Sequence, residues 1–122
     1  MSGLAPSLSV MTFDDDAAER VRFALRRHAD FTEKKMFGGL ALMVGDHMAV
    51  GLTGDSRLMV RVGKDGMDDA LARGAEPMEM GAGRTMGGFV VVPDDRIEDA
   101  ADLDAWISVG VGVASSLPPK GR

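Results

Sequence analysis

The 122-residue sequence predicts an α+β fold: a two-layer domain with an antiparallel sheet of five or six strands and helices on one face. Three observations carry this. The segment 34–62 holds three hydrophobic runs separated by Gly45-Asp46 and Gly54-Asp55, which reads as consecutive strands joined by tight turns. Helical periodicity appears on both sides of that segment. Strands grouped in hairpins, with helices set apart from them, argue against an alternating βαβ array.

The first helix is predicted over residues 14–28. Ala17, Val21, Ala24 or Leu25, and His28 recur at helical spacing. Thr12 or Asp14 can cap it, and Asp14, Asp15 and Asp16 suit the positive end of its dipole. Strands follow over 32–37, 40–44, 48–52 and 58–62, with Gly38-Gly39 as a bend between the first two. A short helix over 64–73 has Met67, Ala70 and Leu71 on its apolar face and ends at Gly74. Pro77 limits the next element to a short edge strand over 78–80. Gly81-Ala82-Gly83 is a turn, and residues 88–92 form the last strand. The final helix, over 99–117, buries Ala100, Leu103, Trp106 or Ile107, Gly110, Val113 or Ala114, and Leu117. Asp99 or Asp102 caps it, and Pro118-Pro119 stop it. The order is α-β-β-β-β-α-β-β-α. Residues 1–12 read as a flexible tail and 13–119 as one domain.

Composition excludes several classes. A hydrophobic content of 45% with 27% charge fits a globular chain rather than a disordered one. No apolar run approaches the roughly 20 residues that span a bilayer, so no membrane partner is expected. Cysteine is absent, which removes disulfides and thiolate chemistry and fits a cytoplasmic location. The net charge of −5 argues against a large phosphate-binding surface. The positive charge is nevertheless concentrated: Arg20, Arg22, Arg26, Arg27, Lys34 and Lys35 fall close together, while residues 94–104 are acidic.

No chemistry-bearing constellation is visible. Gly38-Gly39 lacks the spacing of a phosphate-binding loop, and no helix begins directly after it. His28 and His47 are the only histidines, too few for a three-histidine metal site. No serine lies in a nucleophile-elbow context. The sequence therefore predicts no catalytic residue, no cofactor and no metal. Methionine is abundant, which suits core filling or an adaptable contact surface.

Strand alternation identifies a contact surface. Leu40, Leu42, Val50, Leu58 and Val60 point to one face. Ala41, Met43, Arg57, Met59 and Arg61 point to the other, which is less polar than a fully solvated face. With helices on one side only, a second copy is the natural cover, and a homodimer is the expected arrangement. The alternative surface is the basic cluster of Arg20, Arg26, Arg27, Lys34 and Lys35, which can meet an acidic protein or a nucleic acid. Phe23 and Phe31 within it read as core residues, not as stacking platforms.

The run from Glu33 to Ala41 (EKKMFGGLA), followed by Leu58-Met59-Val60-Arg61-Val62-Gly63, Met86-Gly87-Gly88-Phe89-Val90 and Leu103-Asp104-Ala105-Trp106-Ile107, resembles the TfoX/Sxy N-terminal domain family. The resemblance spans about residues 14–119. It implies a secretion-chaperone-like α+β fold, often dimeric, and a role in competence or transcription regulation. It carries over no catalytic residues. Members that founded the family have a further C-terminal helical domain, which this chain, ending at Arg122, is expected to lack. The expected function is a non-enzymatic regulatory domain working through contacts with an unknown protein partner as a dimer. A direct nucleic-acid binder at the basic cluster is the first alternative, and a small-ligand binder or enzyme at Gly38-Gly39 the second.

Overall fold

A six-stranded antiparallel sheet carries three helices on one face. The computed structural model describes residues 14–36, 38–81 and 84–118. The elements run α1 (Asp15–Arg26), β1 (Thr32–Met36), β2 (Gly39–Val44), β3 (His47–Leu52), β4 (Leu58–Arg61), α2 (Met67–Ala72), β5 (Glu76–Gly81), β6 (Arg84–Val92) and α3 (Ala100–Ser116). The strand order is β1-β2-β3-β4-β6-β5. The predicted fold class and element order stand, with six strands.

Local chemistry sets the helix ends. Asp14 caps α1, its carboxylate accepting from the Asp16 N–H, and Asp15 and Asp16 occupy the first turn. Asp99 caps α3 in the same way, accepting from Ala101 N–H. At the far end Leu117 is extended, with ψ 146°, because the following Pro118 disfavours helical backbone before it. A 3₁₀ turn at Lys64–Gly66 leads into α2, so the single short helix expected there is two shorter pieces.

The core lies between the sheet and the helices. Ala18, Val21, Ala24 and Leu25 of α1 and Leu103, Trp106, Ile107, Gly110 and Ala114 of α3 are buried. They meet Leu40, Leu42, Val50, Leu52, Leu58, Val60, Val90 and Val92 from the sheet. Full burial of a leucine or isoleucine such as Leu103 or Ile107 contributes roughly 2 kcal/mol relative to exposure. Gly110 is where α3 touches the sheet: a Cβ there would stand 2.4 Å from the Ala49 carbonyl oxygen. α3 thus lies directly on β3, with α1 beside it. The Arg73 guanidinium after α2 stacks 4.6 Å from the Trp106 ring centroid, linking α2 to α3.

Some expectations change. Phe23 is 67% exposed, not core, whereas Phe31 does pack against the core. Leu71 is also exposed. Ala100 is exposed and Leu117 only half-buried, since the inward stripe of α3 begins at Leu103 and fades in the last turn. Pro77 lies within β5, which is longer than residues 78–80 because an edge strand tolerates a missing N–H. β6 starts at Arg84 rather than at 88. The tail, the Thr12 cap candidate, Phe37 and the Ala82-Gly83 turn lie outside the described residues.

Candidate functional site

The register assembles the open face of the sheet. Lys34 pairs with Ala41, Ala41 with Gly51, Gly51 with Met59, Met59 with Val91, and Val91 with Glu76. These residues form one cross-strand row on the side away from the helices. On the same face Arg61 pairs with Phe89, and Met43 follows Ala41 two positions along β2. The five residues read from sequence as a contact face, Ala41, Met43, Arg57, Met59 and Arg61, fall on this side.

The open face is partly covered by its own side chains. Ala41 is 1% exposed and Val91 and Phe89 are buried, yet none of them belongs to the helix-side core. Met59 reaches over Gly51, its Cε 3.1 Å from where a Cβ would stand. The Arg61 guanidinium lies 4.5 Å from the Phe89 ring centroid, and Arg61 Nε–H donates to the Met48 carbonyl at 2.6 Å. Burial pulls the Arg61 pKa down from its usual value, but an arginine retains its charge at neutral pH. Arg57 pairs with Glu76 at 2.7 Å on the rim of the same face. The arginines here are fixed by specific partners rather than waving in solvent.

The basic cluster does not form one patch. Arg20 donates to the Glu98 carbonyl at 2.9 Å, on the α3 side of α1. Arg22, on the opposite flank, pairs with Glu19 at 2.7 Å and grips both carboxylate oxygens of Glu33 in β1. That fork holds the Glu33 carboxyl below its usual range, with Arg26 and Lys35 adding to the effect, and raises the Arg22 pKa further. Lys35 shares the helix side with Glu33, while Lys34 points to the open face. Arg26 and Arg27 are exposed. Phe23 sits among Glu19, Arg20, Arg26 and Arg27 on the outer surface of α1. Sequence reasoning missed that exposure, although its place opposite Val21 and Leu25 on a helix of 3.6 residues per turn gives the signal.

The remaining candidates serve structure. His28 Nε2 lies 2.9 Å from Asp104 Oδ1, tying α1 to α3. His47 Nε2 is 2.6 Å from the Pro118 carbonyl, so that nitrogen carries the proton and ties β3 to the end of α3. At the double glycine, a Cβ on Gly39 would fall 2.2 Å from the Leu52 carbonyl oxygen, so the bend serves the close approach of β2 to β3. A pocket of about 260 Å³ lies between the start of α1 and the β3–β4 loop. Its floor is Val21, Leu52, Leu58 and Ile97, with Asp14 and Glu98 at the rim. Among the described residues, no group of three or more His, Cys, Asp or Glu is arranged to hold a metal ion. No helix among them is long and apolar enough to cross a membrane.

An antiparallel sheet with one helix-covered face and one open face defines a small α+β domain. The TfoX N-terminal domain family model matches residues 24–114, and the chain belongs to that family. Membership associates it with regulatory, competence-linked domains. Comparison with curated proteins gave no match.

Proposed function

We propose that this protein is a non-enzymatic interaction module that works in regulation as a homodimer, joined through the open face of its sheet. The observation that supports this is the make-up of that face: Ala41, Gly51 and Val91 buried at its centre, half-buried Met43 and Met59 around them, and arginines held in place. A face meant only for water would carry more free polar groups. Charge placement favours a second copy as the cover. Lys34 stands at one margin of the sheet and Glu76 at the other, about 24 Å away at five strand spacings. A twofold axis parallel to the strands lays β1 of one copy over β5 of the other, so that Lys34 of each faces Glu76 of its mate.

Light scattering across a dilution series tests this. The expected mass is twice 12.9 kDa, falling to 12.9 kDa for Met43→Lys combined with Met59→Lys while the circular dichroism is retained. A mass near 12.9 kDa at every concentration of the unmodified chain refutes the dimer.

A further inference from the structure

The two edges of the sheet are built differently. β5 is blunted: Pro77 removes a backbone donor, and its register with β6 shifts twice, between Pro77 and Glu79 and between Glu79 and Gly81. β1 is regular. Thr32 to Met36 pair with β2 in five consecutive positions without a shift, and Thr32, Glu33, Lys34 and Lys35 are exposed. Among the described residues β2 is its sole sheet neighbour. Its outer row of N–H and C=O groups is a template for one more strand, guarded by charge alone.

That guard is selective. Lys34 projects to the open face and Lys35 to the helix side, where Arg26 also acts on Glu33. The one carboxylate of the strand, Glu33, is gripped by Arg22 and shared with the charges of Lys35 and Arg26, so a single negative charge stands against several positive ones. An antiparallel copy of β1 centred on Lys34 would oppose two ammonium groups, which is unfavourable. A strand with acidic side chains at successive positions meets positive charge on both faces instead, because alternate residues point to opposite sides. The chain's net charge of −5 opposes such a strand only weakly, since screening over about 8 Å at physiological salt leaves the local edge in control.

We infer that β1 is a docking edge for an acidic extended peptide, added as a seventh strand antiparallel to β1 with successive carboxylates on Lys34, Lys35 and Arg26. The inference rests on the reading above that the domain works through protein contacts, and it assigns the outer backbone edge of β1, which adjoins the dimer face and shares Lys34 with it.

The test uses the full chain and a fluorescent eight-residue peptide with three central glutamates flanked by valine and threonine, followed by anisotropy. Saturable binding is expected, weakened about tenfold by Lys34→Glu with Lys35→Glu and restored in that variant when lysines replace the glutamates of the peptide. Backbone N-methylation of the peptide distinguishes strand addition from adsorption. Methyl groups on alternate amides of one parity abolish binding, whereas the other parity leaves it intact, since one set of N–H groups faces β1 and the other faces water. Loss that is indifferent to parity overturns the proposal. So does tighter binding of single-stranded DNA at the same lysines, which reassigns the edge to phosphate. Absence of peptide binding up to about 1 mM, roughly the weakest affinity a specific contact gives, overturns it as well. The mass of the protein measured in the same samples keeps the two claims apart: a dimer that binds no peptide removes the edge alone, and a monomer that binds it removes the dimer alone.

Discussion

At the scale of single residues, Glu33 is a carboxyl whose environment ties stability to pH. Its carboxyl is held below the usual range, first by the hydrogen bonds from Arg22 and then by the charges of Arg22, Arg26 and Lys35. A carboxyl depressed by folding stabilises the protein above its unfolded value, near pH 4.3, and loses that contribution as pH falls through the lower folded value. The pair is partly exposed, so solvent screening limits the effect to about 0.5 kcal/mol. Urea denaturation at pH 7 and at pH 3 is expected to show a smaller pH dependence in Glu33→Gln than in the unmodified chain. An identical pH dependence in both contradicts it. The histidines belong to the same scale. Each contacts an acceptor on or just after α3, and each thereby ties that helix to a neighbouring element.

At the scale of elements, two glycines of α3 separate close packing from helix propensity. Gly110→Ala drives a methyl into the Ala49 carbonyl and the Val50 side chain, and is expected to cost about 2 kcal/mol by overpacking. Gly112→Ala meets nothing within 4 Å and is expected to stabilise the helix by up to about 1 kcal/mol. Denaturant midpoints of the two variants should move in opposite directions. The inward stripe of α3 was legible in the sequence because helical periodicity is local, and Leu103, Ile107, Gly110 and Ala114 lie where it puts them. The two faces of β2, β3 and β4 were legible for the same reason, as strict alternation. What escaped was of two kinds. An aromatic side chain suggests core, yet Phe23 is exposed because its helical position opposes the buried stripe. The dispersal of the basic cluster could not be read at all, since Arg20 turns toward Glu98, seventy-eight positions away, and Arg22 toward a strand. Such choices belong to packing between elements, and sequence proximity gives no account of them.

At the scale of the whole molecule, the arrangement divides the work of the sheet. One face is covered by the helices, the other is open, and of the two edges β1 is the one paired without a register shift. The placement of β6 between β4 and β5 has a consequence in time. β1 to β4 form a meander whose strands pair with their immediate successors. Val60 instead pairs with Val90, thirty positions further on, with α2 and β5 in between. Closing that loop costs chain entropy before any contact compensates for it. The seam between β4 and β6 is therefore expected to form after the barrier, and the meander before it. In stopped-flow experiments Val90→Ala should mainly accelerate unfolding, while Val50→Ala should mainly slow folding. The reverse pattern would place the seam in the nucleus. If the order holds, an unfinished molecule displays a complete meander with two open edges, and the arrival of β6 leaves β1 as the regular one.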